Sequence, residues 1–70
     1  MNLEQFEEFC EKIGWHIETE VYFGKSYLCA WKHGDRWYNS IRELIVGMDF
    51  DEFKESIEEI DEQYAMMLFN

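Results

Sequence analysis

Residues 15–38, WHIETEVYFGKSYLCAWKHGDRWY, decide the fold. From Trp15 the hydropathy alternates with a period of two: Ile17, Thr19, Val21 and Phe23 against His16, Glu18, Glu20 and Tyr22. This is the pattern of a half-buried strand over residues 15–23. Gly24-Lys25 fits a two-residue Gly-X turn, and SYLCAWK over residues 26–32 returns as a second strand. Gly34-Asp35 repeats the Gly-X turn and opens a third strand over residues 36–39. The reading is a three-stranded antiparallel meander.

The flanks are helical. Upstream, Leu3, Phe6, Cys10 and Ile13 recur at helical spacing, with Phe9 widening the stripe, which predicts a helix over residues 3–13. Asn2 and Gln5 form a capping box, and Gly14 supplies the left-handed residue that closes the helix. Downstream, Ser40-Ile41-Arg42-Glu43 reads as another capping box, predicting a short helix over residues 41–46 that stops at Gly47. Asp49-Phe50-Asp51-Glu52 is a third box, with Met48 and Phe53 as a hydrophobic staple. The helix it opens, residues 50–68, carries a seam of Phe50, Phe53, Ile57, Ile60, Tyr64 and Met67. The expected order is α-β-β-β-α-α. It makes a single α+β domain over residues 1–70, with the helices packed on one face of the sheet.

The chain has 70 residues, 16 Asp plus Glu against 6 Lys plus Arg, and a formal net charge of −10. Its hydrophobic content of 47% is far too high for a disordered acidic tail. Direct nucleic-acid binding and attachment to an anionic membrane are both disfavoured, since each depends on Lys and Arg. Met1-Asn2-Leu3-Glu4 is acidic and opens no apolar h-region, and no apolar run is long enough to span a bilayer. The expected compartment is therefore the cytoplasm.

Catalytic signals are missing. Ser26 and Ser40 lie in no nucleophile motif, and the glycines mark element ends rather than phosphate loops. Cys10, His16, Cys29 and His33 are the only soft ligands, at spacings that match no zinc finger. Cys10 reads more simply as a small hydrophobe on the first helix. No enzyme, metal or cofactor is expected.

The charge is unevenly placed. Residues 1–20 hold six acids and one base, residues 21–48 two acids and four bases, and residues 49–70 eight acids and one base. Glu4, Glu7, Glu8 and Glu11 follow i, i+3, i+4, i+7 and form one face of the first helix. Asp51, Glu52, Glu55, Glu58, Glu59, Asp61 and Glu62 fill nearly every non-seam position of the last. Neighbours at such spacings lie about 5–6 Å apart, a scale comparable with successive phosphates along a DNA strand. The simpler account is a solvated face that keeps a small protein soluble. Against it stands the mutual repulsion of like charges at i, i+4. The aromatics are the second feature. Tyr27, Cys29 and Trp31 share one face of the second strand while Leu28 and Ala30 share the other, so helices on one side would leave an aromatic face uncovered. Tyr27, Trp31 and Trp37, with Met66 and Met67 at the C-terminal tip, form a candidate apolar interface for a partner or a second copy of the chain.

In its shortness, its acidity and its lack of catalytic motifs the chain resembles the small acidic inhibitors encoded by bacteriophages. That group includes DNA mimics that occupy the DNA-binding surfaces of HU-type nucleoid proteins, restriction enzymes, uracil-DNA glycosylase or CRISPR nucleases. The resemblance implies a non-enzymatic inhibitor of a basic DNA-binding host protein, acting in a host bacterial cytoplasm. The α-β-β-β-α order also resembles the double-stranded-RNA-binding domain, but the charge has the wrong sign for that function. The alternative reading is a protein–protein interaction module that uses the aromatic sheet face or the last helix's seam.

Overall fold

In a computed structural model the chain folds as α1 (Leu3–Lys12), β1 (Trp15–Tyr22), β2 (Lys25–Lys32), β3 (Asp35–Leu44) and α2 (Phe50–Phe69). The structure describes residues 1–69, with the side chains of all but Asp35, Trp37, Tyr38, Asn39, Leu68 and Phe69. It is an α+β fold in which an antiparallel sheet of order β1-β2-β3 carries both helices on one face.

Each helix starts where its capping residues place it. The Asn2 side chain accepts from the Gln5 backbone N–H at 2.8 Å, and the Gln5 side chain accepts from the Asn2 N–H at 3.0 Å. At α2 the Asp49 carboxylate accepts from the N–H groups of Asp51 (3.0 Å) and Glu52 (3.2 Å), which satisfies two of the donors that a helix start leaves open. The core lies between the helices and the even-numbered face of β2. Phe6 and Cys10 from α1, Phe53 and Ile57 from α2, Trp15 from β1, and Leu28 and Ala30 from β2 are all buried. Phe6 is its centre, 5.2 Å from the Phe53 ring and 5.4 Å from the Phe50 ring.

The expected turns move by one residue. Tyr22 pairs with Lys25, so β1 ends at Tyr22 and the turn residues are Phe23 and Gly24. Both take positive φ, +51° and +75°, the signature of a type I′ turn, with glycine second rather than first. Lys32 likewise pairs with Asp35 around His33-Gly34, so this turn too ends in a glycine of positive φ.

The short helix expected over residues 41–46 is absent, because β3 continues through these positions to Leu44. Pairs Tyr27↔Leu44, Leu28↔Glu43, Cys29↔Arg42, Ala30↔Ile41 and Trp31↔Ser40 form a continuous ladder. β2 is the central strand, and without β3 one of its edges would carry unpaired backbone groups along its most buried stretch. A capping box is worth about 1 kcal/mol, which loses to a five-residue ladder. Gly47 ends nothing helical. It takes φ +75° in the turn closed by the Met48 N–H donating to the Ile45 carbonyl at 3.1 Å.

The third strand also contains a register break. Lys32 pairs with Asp35 while its neighbour Trp31 pairs with Ser40, so residues 36–39 stand outside the regular ladder as a four-residue bulge. The expected strand over residues 36–39 is thus the irregular part of a longer one.

Candidate functional site

Two surfaces on opposite sides of the sheet are candidates. The first is the outer side of the helix layer. Because α1 and α2 both turn their apolar stripes to the same sheet face, their polar faces look the same way. Glu4, Glu7, Glu8 and Glu11 of α1 are exposed, as are Asp51, Glu52, Glu55, Glu58, Glu59 and Glu62 of α2. α2 has 20 residues and so runs for about 30 Å. Among the described residues only one of these ten carboxylates has an ion-pair partner, Asp51 with the Met1 ammonium at 2.9 Å. Lys54 offers α2 little relief. It lies on the flank facing α1, with its ammonium 5.2 Å from the Phe9 ring centre.

Asp61 does not belong to this array. It lies on the sheet side of α2, where its carboxylate accepts from the Trp15 indole Nε1 at 2.9 Å and from Lys32 Nζ at 3.2 Å. Lys32 Nζ also donates to the Ile13 carbonyl at 2.6 Å, at the α1 C-terminus, where a cation is favoured. One acid and one lysine thus tie α1, β1, β2 and α2 together. The sequence placed Asp61 with its neighbours because the seam Phe50, Phe53, Ile57, Ile60, Tyr64 leaves it formally outside. The core-facing side of α2 is wide enough to include it.

The second surface is the helix-free face of the sheet. Strand register sets out its rows: His16, Trp31 and Ser40; Glu18, Cys29 and Arg42; Glu20, Tyr27 and Leu44. Although no helix covers this face, Cys29 and Trp31 are only 5% and 8% exposed. Their cover is local. The Arg36 guanidinium lies 4.4 Å from the Trp31 ring centre, delivered there by the β3 bulge, and the His16 ring packs at 4.7 Å on Trp31. The Arg42 guanidinium lies 4.4 Å over Tyr22 and 5.9 Å from Tyr27. Such stacking lets a charged group shield apolar area while its head stays wet.

Glu20 organises this face. Its carboxylate accepts from the Cys29 thiol at 2.9 Å and the Tyr22 hydroxyl at 2.8 Å, and it pairs with Arg36. These donors, the thiol first, hold its carboxyl well below the usual range, at about 2. Burial, reinforced by the Glu20 carboxylate, pushes the Cys29 thiol up to about 11, so it stays protonated and donates. Burial pushes Cys10 to about 11 as well. Neither thiol is a nucleophile at neutral pH. Between these groups lies an open cavity of about 410 Å³, walled by Glu20, Tyr22, Cys29, Trp31, Arg36 and Arg42 among others.

The apolar interface expected from sequence is only partly assembled. Tyr27 and Trp31 lie on the helix-free face, Tyr27 half-buried and Trp31 nearly closed off. Met66 and Met67 are exposed at the far end of α2. The side chain of Trp37 lies outside the described residues. The features that sequence reasoning passed over on this face are Glu18, Glu20, Arg36 and Arg42. For Glu18 and Glu20 the signal is the period of two that identifies β1, whereas Arg36 lies in the β3 bulge and Arg42 in a stretch that reads locally as a helix start.

The soft ligands do not converge. Cys10 is in the helix-side core and Cys29 on the opposite face, with the sheet between them. Among the described residues no group of three His, Cys, Asp or Glu side chains could hold a metal ion. No helix among them is long and apolar enough to cross a membrane. No protein-family model, curated protein or solved structure matches the chain.

Proposed function

We propose that the protein is a non-enzymatic inhibitor that binds a basic, nucleic-acid-binding host protein in the bacterial cytoplasm. It presents carboxylate-lined helices as a DNA mimic and so blocks DNA binding. One observation carries the reading: the outer faces of α1 and α2 look the same way, and nine of their ten exposed carboxylates lack an ion-pair partner among the described residues. The exposed acids of α2 run from Asp51 to Glu62, about 17 Å of helix axis or roughly half a turn of duplex, with the acids of α1 as a second row. The negative potential of such a layer steers a cationic surface toward it and opposes DNA itself. The resemblance to phage-encoded inhibitors adds the target classes, an HU-type nucleoid protein or a defence nuclease.

The test is competition. A labelled duplex bound to a basic DNA-binding protein of these classes is titrated with the wild-type chain and with the variant carrying Glu55→Gln, Glu58→Gln, Glu59→Gln and Glu62→Gln. The wild type should displace the duplex, with an efficiency that falls steeply as salt rises, and the variant should not displace it. Equal competition by both chains, with the variant folded by circular dichroism, would sink the proposal.

A further inference from the structure

We propose that the helix-free sheet face is a docking surface for a second copy of this chain, through a two-fold axis that sets Glu18 of one copy against Arg42 of the other. The row Glu18, Cys29, Arg42 spans the three strands with the buried thiol at its centre, an acid on one edge strand and a base on the other. A two-fold axis in the interface, parallel to the strands and above Cys29, exchanges β1 and β3. It lays each acid of this row on a base. Isologous contacts need this kind of self-complementarity.

The charge of this face favours a second copy over other occupants. Glu20 is already paired with Arg36, whereas Glu18 and Arg42 have no ion-pair partner among the described residues. A uniformly basic or uniformly acidic partner would meet both signs here, Glu18 and Glu20 beside Arg36 and Arg42. The net charge of −10 on each copy opposes self-association, and the opposition is reduced because most of the acids lie on the helix side, away from this face. A second copy meets one acid and one base with one base and one acid, and its carboxylate helices stay on the outside. Apolar area continues past the row at one end of the sheet, where Leu44 and Ile45 are exposed and the Ile45 N–H donates to the Ser26 carbonyl at 3.0 Å. The face is three strands wide and about 26 Å long, small for a permanent interface, so self-association belongs in the weak class.

Sedimentation equilibrium across micromolar to submillimolar protein provides the test. The wild type should pass from monomer to dimer. Glu18→Arg alone and Arg42→Glu alone should each remain monomeric at concentrations where the wild type is dimeric. An equimolar mixture of the two should dimerise again, because each acid then faces a base. Salt should strengthen the wild-type dimer modestly by screening the −10 on each copy. That sign is opposite to the loss expected for a basic partner. The variant with four Gln substitutions on α2 should still dimerise, so this proposal and the mimic reading can fail separately. A wild type that is monomeric throughout would overturn the proposal. So would a dimer that survives both single reversals, or single variants that fold yet do not associate when mixed.

Discussion

Asp61 separates a structural acid from a displayed one, and Asp61→Ala measures the difference. The substitution removes the acceptor of the Trp15 indole, a residue only 4% exposed, and leaves that donor without its partner. A buried unsatisfied donor costs about 1–3 kcal/mol. The Lys32 pair adds less, since both side chains are more than a quarter exposed, and such pairs contribute about 0–1 kcal/mol. Removing one carboxylate from a like-charged helix returns about 0.2–0.5 kcal/mol. The net expectation is a loss of about 2 kcal/mol. A domain of 70 residues has about 4–10 kcal/mol in total, and each kcal/mol moves Tm by about 4–8 °C. Asp61→Ala should therefore lower Tm by about 10 °C or more, and Asp61→Asn, which keeps an acceptor oxygen, should lower it by less. Glu58→Ala, three residues away on the outer face, should move Tm by no more than about 2–3 °C in either direction. Urea titration followed by tryptophan fluorescence gives the same ranking as the thermal melt. If Asp61→Ala and Glu58→Ala prove equal, the tie between α2 and the sheet through Trp15 and Lys32 does not exist in solution.

Phe23 is fully exposed yet holds φ +51° ahead of Gly24, so Phe23→Asn should stabilise by about 1 kcal/mol by placing the preferred Asn-Gly pair in the turn; a lower Tm would show that the ring makes a contact. The Glu20 carboxyl is depressed from 4.5 to about 2, so its contribution is complete above about pH 4.5 and is lost as pH falls toward 2. The Tm difference between wild type and Glu20→Gln should shrink over that window, and a constant difference would contradict the assignment. With both thiols pushed up to about 11, Cys10 and Cys29 should resist a disulfide reagent at pH 8 until the chain is unfolded in urea; rapid native labelling of either would refute the burial. Glu55 is within i±3 or i±4 of Asp51, Glu52, Glu58 and Glu59, so Glu55→Gln should stabilise by about 1 kcal/mol in low salt, a gain that disappears in high salt.

Elements with a dominant local signal were legible. The stripe of α1 with its Asn2 cap, the period of two from Trp15 and the seam of α2 each state one structure without competition. The stretch from Ser40 to Val46 carries two messages. Ser40 and Glu43 read locally as a helix start, whereas Ile41 and Arg42 alternate as a strand does. Only the need of β2 for a second neighbour decides between them, and that need is non-local. The bulge over residues 36–39 was invisible for the same reason. It exists because the ladder resumes at Ser40 while the turn closes at Asp35, and nothing in those four residues alone announces it. For the candidate site, the outward acids follow from helical spacing. Asp61 could not be separated from them without knowing that Trp15 and Lys32 lie beneath it.

What the exposed carboxylates cost bears on why they are there. On α1, Glu4, Glu7, Glu8 and Glu11 make four pairs at i, i+3 or i, i+4, and the six exposed acids of α2 make six more. At about 0.2–0.5 kcal/mol each, ten pairs oppose folding by about 2–5 kcal/mol before screening, a large fraction of what so small a domain possesses. Solubility does not require this arrangement, since a net charge of about 2–8 suffices for a small domain and can be spread with both signs interspersed. Here the signs are segregated. The helix layer carries ten exposed acids against Lys12 and Lys54, while Arg36 and Arg42 cover aromatic rings on the other face beside Glu18 and Glu20, and Lys32 joins the helices to the sheet. The fold thus tolerates repulsion on one surface and balances charge on the opposite one, as the proposed display of the acids requires. Under the proposed function, a cationic partner surface recovers that cost.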